Sequence, residues 1–257
     1  MLITHNNKII SFENKIVKID TITPPPTPSI VTDNLFIELN ATNYTGGNWI
    51  DETVNGNDAT INGSTWIPDD GGIFDFDGLN DTMTILDKTN LRLSTTQQRT
   101  VQMWVKFDAL PIGSNRMVFF GKLSSSFGFD GYWGGINSIG NVVIATNGTS
   151  ISKTSNSTLS VSINNWYLFT FITQITGTLN TTKAYVNETE YITTQHGVDG
   201  YNEANNLTIG YLTPPLTGLG LISYLNGKVG AVYFYTKGLS PEEISINFNA
   251  TKSKYAI

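Results

Sequence analysis

Four oxygen-bearing side chains lie close together in the chain, at Asp75, Asp77, Asn80 and Asp81. Carboxylate and amide oxygens are the ligands that calcium prefers in proteins. On a strand, Asp75 and Asp77 share one face, with two phenylalanines on the other. We therefore predict Asp75, Asp77 and Asp81 as calcium ligands, with Asp81 the best single candidate. The alternative is a solvated strand face followed by an Asx turn at Asn80 and Asp81, which needs no metal.

A second candidate site combines aromatic and polar side chains in a glycine-rich segment, at Asp130, Tyr132, Trp133 and Asn137. Sugar sites need aromatic rings that stack on the sugar and a few polar groups that bind its hydroxyls. These four residues predict a glycan-binding rim. The alternative is a core strand and its turn, which we favour because aromatic side chains are more often buried than exposed.

The sequence offers little for catalysis. Glycoside hydrolysis needs two carboxylates at a fixed separation facing a cleft. No segment here carries acidic residues in the strand pattern ExDxxE. The two histidines, His5 and His196, give a serine–histidine–aspartate triad little support. We therefore predict that the protein is not an enzyme.

The elements that must position these residues are β-strands. From Asp33 onward, short segments of alternating apolar and polar residues are separated by turns rich in Asn, Gly and Asp. Val101–Phe107 is one such segment. About a dozen strands at short spacing predict an all-β sandwich or jelly roll in a single domain. Trp104 and Trp166 are expected in its core.

The last predicted elements are a strand and a capped helix. Val229 to Tyr235 is a run of β-branched and aromatic residues bounded by glycines, which is typical of a strand. Ser240 can cap a helix, Pro241 suits its first position, and Glu243 can complete a capping box. We expect a short helix that ends near Asn249, because asparagine and threonine are poor helix formers.

Three segments divide the chain. Residues 1–22 are predicted to be an anchoring arm that docks on a partner by strand addition. A disordered terminus, or a strand added to the main domain, explains the pattern equally well. Residues 23–32 form a proline-rich linker, in which TPPPTP favours semi-rigid polyproline II. Residues 33–257 form the jelly-roll domain. The predicted anchoring residues of the arm are apolar: Ile9, Ile10, Phe12, Ile16, Val17 and Ile19.

Composition argues against several classes of partner. The chain has 15 basic and 21 acidic residues, a formal net charge of −6, and no long basic run, so we expect no nucleic-acid partner. No segment approaches the roughly 18 apolar residues that a membrane-spanning helix needs, so we expect no membrane partner. The absence of cysteine excludes disulfides and thiolate chemistry.

Six short motifs stand in order along the chain. They are Asn55-Gly56-Asn57-Asp58-Ala59, Phe74-Asp75-Phe76-Asp77-Gly78-Leu79-Asn80-Asp81, Val101-Gln102-Met103-Trp104-Val105, Trp166-Tyr167-Leu168-Phe169-Thr170, Ala184-Tyr185-Val186-Asn187 and Leu239-Ser240-Pro241-Glu242-Glu243-Ile244. Together they resemble the laminin-G-like, concanavalin A-like jelly-roll family. The resemblance implies a sandwich of two antiparallel sheets with one short C-terminal helix, preceded here by the arm.

The ending, Phe248 to Tyr255, is similar to the tail NYNATKSRY of laminin-G-like proteins among the structural genes of tailed bacteriophages. This resemblance implies a virion protein of the head-fibre, decoration or tail-fibre type. Its arm would bind a capsid protein or another virion protein, and its lectin-like domain would adhere to host cell-surface glycans. Displayed proteins of this kind are usually symmetric, so we expect a homo-oligomer, trimer first and dimer second. The alternatives are a cellular carbohydrate-binding or adhesion domain and, less favoured, a glucanase-like hydrolase.

One departure from the family pattern concerns the last strand. Relatives often place acidic residues there, in the form GxIDEVRIYN, near a calcium or ligand rim. This chain has Gly230 and Ala231 at those positions. No cofactor is therefore expected to be required, and calcium is an option that rests on the aspartates alone.

Overall fold

The computed structural model describes residues 2–5, 8–11, 29–92, 98–113, 115–123, 131–146, 153–154, 161–176, 179–197, 204–212 and 222–257. Within these ranges the protein is almost entirely β-structure, as predicted. The first nine strands are β1 (Leu2–His5), β2 (Lys8–Ser11), β3 (Leu35–Asn40), β4 (Ala59–Asn62), β5 (Thr65–Ile67), β6 (Ile73–Asp77), β7 (Thr82–Ile85), β8 (Gln98–Phe107) and β9 (Arg116–Leu123). The others are β10 (Gly131–Asn137), β11 (Val142–Thr146), β12 (Lys153–Thr154), β13 (Trp166–Thr176), β14 (Leu179–Val186), β15 (Thr189–Gly197), β16 (Leu207–Ile209), β17 (Ile222–Ser223) and β18 (Asn226–Tyr235).

The helical segments are short. The α-helix α1 spans Pro241–Thr251, and 3₁₀ turns span Ala41–Asn43, Asp69–Gly71, Thr89–Leu91 and Lys252–Tyr255. No helix in the described ranges is long and apolar enough to cross a membrane.

Two sheets of eight strands form the sandwich. The helix-side sheet has the order β15-β14-β13-β8-β18-β6-β5, and β3 also pairs with β18. The far sheet has the order β12-β11-β10-β9-β16-β7-β4, and β17 also pairs with β9. Separately, β1 and β2 pair as an antiparallel ribbon within the predicted arm.

Apolar side chains from the inner faces of both sheets fill the space between them. The phenylalanines at its centre pack edge to face: Phe119 lies with its ring centre 4.8 Å from that of Phe169, and Phe107 lies 5.8 Å from Phe169. These residues alternate along β8, β9 and β13 with residues that face outward, which is the pattern of a two-layer sandwich.

The helix covers a second apolar cluster on the outer face of the helix-side sheet. Its capping box forms as predicted, with Ser240 and Glu243 bonding each other's backbone N–H groups. The helix ends at Thr251, two residues beyond the prediction. The Thr251 hydroxyl donates to the Asn247 carbonyl and accepts from the Trp104 indole, so contacts with the sheet offset the weak helix propensity of threonine. Trp104 is fully buried and Trp166 almost so, which confirms their predicted core positions.

Tyr255 closes this cluster. Its ring stacks on Trp104 at 4.4 Å and lies 4.7 Å from Trp166. A β-carbon at Gly230 would lie 2.3 Å from the Tyr255 ring, so a side chain there would collide with it. The missing acidic side chain in the last strand therefore has a structural reason, because the ring of Tyr255 occupies the space above Gly230.

The helix-side sheet has two distinct ends. At the entry end, β3 begins at Leu35, which pairs with Tyr235 at the end of β18. Residues 29–34 lead into this end. The Val31 N–H donates to Asn247 and the Val31 carbonyl accepts from Tyr235, so the last residues of the predicted linker are held against the domain. At the distal end, β8 finishes and β13 begins, and Lys106 pairs with Trp166.

Candidate functional site

A cleft of about 570 Å³ opens at the distal end of the helix-side sheet. Three pieces of the chain that are remote in sequence meet there: the end of β8, the loop that enters β13, and the turn between β14 and β15. Residues 255–257 form a further wall. The lining side chains are mostly polar or aromatic, and those outside the 255–257 wall are Lys106, Asn164, Asn165, Trp166, Tyr167 and Asn187.

Two asparagines adopt left-handed backbone conformations at the mouth of the cleft. Asn164 has a φ of 64° and Asn187 a φ of 55°, values that asparagine tolerates better than most residues. The Asn164 N–H donates to the Phe107 carbonyl at 2.8 Å, and the Asn187 N–H donates to the Leu168 carbonyl at 2.7 Å. The turns are thus fixed to the sheet, and their amide side chains lie at its end.

The floor of the cleft is aromatic. The Lys106 ammonium lies 5.1 Å from the centre of the Trp166 ring, within the range of a cation–π contact. Trp166 in turn packs against Tyr255. Burial raises the pKa of Tyr255, so its hydroxyl stays neutral at physiological pH. The cleft therefore carries amide and ammonium groups on a rigid, largely buried aromatic pair, a composition that suits a small polar ligand.

Amide groups in the cleft have defined partners. The Asn187 Oδ1 accepts the Leu168 N–H at 3.0 Å, which leaves its NH₂ group as the outer end. Asn165 donates from its side chain to the Ser162 hydroxyl at 2.8 Å, and the Tyr167 hydroxyl accepts the Ser162 N–H at 3.2 Å. These bonds hold the side chains in place before any ligand arrives, which lowers the entropic cost of binding.

Acidic side chains near the cleft are bonded elsewhere. Asp108 and Asp75 bind Lys228, with Asp75 Oδ1 at 3.3 Å from its Nζ. Burial acts to lower the pKa of Lys228, but the two carboxylates outweigh it and raise that pKa. Glu188 accepts hydrogen bonds from Ser245 and Asn249 of the helix. The cleft lining, as far as the structure describes it, contains no carboxylate pair that could perform glycoside hydrolysis.

The residues predicted to bind glycans are not brought together at a surface. Tyr132 and Trp133 lie on opposite faces of β10 and both are buried, at 4% and 2% exposure. Tyr132 packs between the sheets and donates to the Leu91 carbonyl. Asn137 accepts the N–H groups of Ile139 and Asn141 and so stabilises its own hairpin turn. Asp130 lies outside the described residues. The core-strand alternative agrees with this placement.

The outer face of the far sheet explains why Trp133 is covered. Leu212 lies over Gly121, where a β-carbon would be only 2.0 Å from Leu212 Cδ1, and Trp133 packs beside them. Strand alternation predicts that Tyr132 and Trp133 face opposite ways. Strand alternation alone does not reveal that Leu212, from a loop far along the chain, covers the outward-facing ring of Trp133.

The three predicted calcium ligands have protein partners. Asp81 Oδ2 accepts the Asp77 N–H at 2.9 Å, and Asp77 Oδ1 accepts the Leu79 N–H at 2.8 Å. Burial raises the pKa of Asp81. Asp75 binds Lys228, as described above. No cluster of three or more acidic, histidine or cysteine side chains suited to a metal occurs among the described residues. Calcium binding by these aspartates stays a prediction.

The predicted anchoring residues lie mostly outside the described ranges. Ile9 and Ile10 belong to β2, where Ile10 pairs with Ile3 and Ile9 with Thr4. Phe12, Ile16, Val17 and Ile19 lie outside the described residues. The anchoring role of the arm stays a prediction.

Comparison with known proteins establishes the family. A model of the concanavalin A-like lectin/glucanases superfamily matches residues 77–245. The chain belongs to this superfamily. The match runs from the end of β6 into α1, and it therefore includes the strands that carry the distal cleft. No curated protein matches the chain.

Several solved structures share the fold of this chain at low sequence identity. Trypanosoma rangeli sialidase has a TM-score of 0.64 and 16% identity, over 89% of this chain and 35% of the sialidase. The binding domain of botulinum neurotoxin DC in complex with SialylT has a TM-score of 0.59 and 17% identity, over 85% of this chain and 52% of that one. This chain thus spans about a third to a half of these two proteins.

A third structure is matched almost completely. Domain 4 of AbnA, an extracellular arabinanase from Geobacillus stearothermophilus, was solved in complex with arabinotriose. It has a TM-score of 0.59 and 14% identity, over 82% of this chain and 97% of that domain. At this level of identity the similarity shows a shared fold and nothing finer.

Sequence patterns gave only partial signals for the distal cleft. The Asn164-Asn165 pair and the turn at Asn187 are visible as polar breaks between strands. Their convergence with Lys106 depends on the register between β8 and β13, where Trp166 pairs with Lys106. No local pattern specifies that register.

Proposed function

We propose that the protein is a non-enzymatic, lectin-like domain displayed on the surface of a virus particle, where its distal cleft binds cell-surface glycans. In this proposal it is a structural protein of a tailed bacteriophage, of the head-fibre, decoration or tail-fibre type. The observation that carries the proposal is the position of the cleft, at the end of the sheet opposite to the point where the linker enters.

The geometry suits display away from an anchor. Residues 29–34 enter beside Tyr235, whereas the cleft lies level with Lys228 on the same strand. Seven strand residues at about 3.3 Å each separate these levels by about 23 Å. The proline-rich sequence of residues 23–28, which favours polyproline II, would add further distance. An arm fixed to a particle would therefore leave the cleft facing outward.

The lining of the cleft supports a saccharide ligand. Amides and an ammonium group can bind the hydroxyl groups of a sugar, and the buried Trp166–Tyr255 pair beneath them keeps the floor of the cleft rigid. The solved structures of similar fold compared above include domains in complex with arabinotriose and with SialylT. Among the lining residues that the structure describes there is no carboxylate pair, which favours binding without hydrolysis.

Asn164 gives the sharpest test of the cleft. Replacing Asn164 with glycine removes an exposed amide and preserves the left-handed backbone, which glycine adopts freely. Asn34 is the matched control, because it is also exposed and has a φ of 57°, but it lies at the entry end. On a glycan array, Asn164→Gly should weaken binding about five- to tenfold, the value of one hydrogen bond. Asn34→Gly should bind like the wild type.

Equal effects of the two substitutions would place the glycan site elsewhere. Failure of the wild-type chain to bind any saccharide on a broad array would remove the lectin function altogether. Thermal unfolding of both variants, recorded beside the wild type, separates a loss of binding from a loss of folding.

Display on a particle has its own test. Mass spectrometry of purified virions should find the chain, and deletion of residues 1–22 should abolish incorporation while leaving a folded domain. Incorporation of the truncated chain would contradict the anchoring role of the arm. Absence from particles would favour a cellular carbohydrate-binding domain instead. Analytical ultracentrifugation of the full chain should show a homo-oligomer, which we propose to be a trimer.

A further inference from the structure

Two side chains of the distal cleft, Lys106 and Asn187, are held by their neighbours so that each offers a hydrogen-bond donor. We infer that the cleft selects acidic saccharides and binds the sugar carboxylate through Lys106 and Asn187. This inference rests on the glycan-binding function proposed above and specifies the class of sugar. A carboxylate accepts hydrogen bonds and donates none, so it suits a site whose fixed groups are donors.

Asn187 is oriented by the main chain. Its Oδ1 accepts the Leu168 N–H, so the oxygen is held toward the sheet and the NH₂ group is the end left for a ligand. The backbone of Asn187 is itself fixed, because its N–H donates to the Leu168 carbonyl. Asn187 therefore contributes a donor to the cleft, and rotation of its amide would break the bond to Leu168.

Lys106 supplies the positive charge. An ammonium group has three N–H donors, so it can bind a ligand carboxylate alongside its other contacts. Its position over the Trp166 ring limits the freedom of a long side chain. A hydrogen bond between an ammonium group and a carboxylate is stronger than one between neutral groups.

Charge in the lining favours an anion. Lys106 is the one charged side chain among the lining residues that the structure describes. The neighbouring carboxylates of Asp75 and Asp108 are bonded to Lys228, and that of Glu188 to the helix. The chain as a whole carries a net charge of −6. An acidic saccharide is therefore repelled by much of the surface, and direct contact with the Lys106 ammonium and the Asn187 amide must offset that repulsion, which ties its binding to this cleft.

The test compares each acidic saccharide with its own methyl ester on the full-length chain. Esterification removes the charge and leaves the sugar ring unchanged. The free acids of sialyllactose and oligogalacturonate should bind at least about tenfold more tightly than their esters, in line with the strength of a charged hydrogen bond.

Two variants assign the effect to named residues. Lys106→Gln and Asn187→Gly should each reduce the preference for acid over ester toward parity. Lys252→Gln is the matched control, because Lys252 also lies over an aromatic ring, 5.3 Å from Phe248, and does not line the cleft. It should keep the full preference.

The outcomes separate this inference from the function on which it rests. Equal binding of acid and ester, or binding of neutral glycans alone, would overturn the inference and leave the lectin function intact. Binding of no saccharide would overturn both. The acid and ester comparison uses the wild-type chain, so the inference stays testable even if a variant fails to fold. A preference that Lys106→Gln leaves unchanged would overturn the assignment to this cleft.

Discussion

Tyr255 should be one of the largest single contributors to stability outside the main core. Its side chain is 5% exposed and packs on both Trp104 and Trp166. Truncation of a buried aromatic residue to alanine costs about 3–5 kcal/mol. At about 2–4 °C per kcal/mol for a domain of this size, Tyr255→Ala should lower the melting temperature by about 6–20 °C. Urea unfolding and calorimetry both measure this loss.

Gly230 provides the second arm of a double-mutant cycle. Its φ lies outside the left-handed region, so alanine can adopt the backbone, but an added β-carbon would lie 2.3 Å from the Tyr255 ring. Overpacking of this kind costs about 1–3 kcal/mol. In the Tyr255→Ala background that ring is absent, and Gly230→Ala should cost little or stabilise the strand. The coupling energy should therefore be about 1–3 kcal/mol.

Additivity would refute this reasoning. If Gly230→Ala costs the same with and without the Tyr255 ring, then the ring does not explain the glycine. Tyr211→Ala is the matched control, because Tyr211 is also a stacked tyrosine but lies against Tyr224. Gly230→Ala and Tyr211→Ala should be additive within about 0.5 kcal/mol, as expected for sites with no shared contact.

Three further predictions concern stability. Asn247→Ala should cost about 3 kcal/mol in urea unfolding, because the buried amide bonds Gln102, Tyr235 and the Val31 N–H, and should expose residues 29–34 to limited proteolysis. Burial acts to raise the pKa of Asp87, but hydrogen bonds from Arg92 and Lys122 outweigh it and lower that pKa below 3.8. A lowered pKa stabilises the fold above about pH 4 and that contribution is lost as pH falls through the folded pKa, so Asp87→Asn should be destabilised at pH 7, and its difference from the wild type should narrow as pH falls below about 4. If calcium binds through Asp81, the melting temperature should rise with CaCl₂, fall with a chelator, and respond to neither in Asp81→Asn; an unresponsive wild type would contradict calcium binding.

Much of the fold is predictable from local patterns. Alternation in Val101–Phe107 and the bounded run Val229–Tyr235 correspond to β8 and the main part of β18. Both are half-buried or buried strands, and burial in a sheet determines the alternation of their apolar residues and their residue types. The capping box at Ser240 is also local, because its bonds join residues three apart. These features need no knowledge of the rest of the chain.

The end of α1 shows where local propensity fails. Asn247 and Thr251 weaken a helix in isolation, yet both bond groups of the sheet and of residues 29–34. Burying satisfied polar groups at these positions stabilises the final turn more than their propensities destabilise it. The sequence shows the weak helix propensity of Asn247 and Thr251, but it does not show the groups to which they bond.

The candidate site was less accessible to sequence reasoning, because each of its parts is ambiguous alone. Trp133 is of a residue type that often stacks on sugars, but Leu212 from a distant loop covers it. Lys106 and Asn187 are of residue types that are common on any protein surface. They become a site only because the register of β8 and β13 places Lys106 beside Trp166, and because the Leu168 N–H fixes the amide of Asn187.

The same tail that stabilises the outer cluster also shapes the cleft. Tyr255 takes the space over Gly230, and the following residues form one wall of the distal cleft. Carboxylates bind cations and sugar hydroxyls, whereas an ammonium and an amide over aromatic rings bind acceptors. Tyr255 therefore links two features of the molecule, because it fills the space over Gly230 and, with residues 256 and 257, forms a wall of the cleft that holds Lys106 and Asn187.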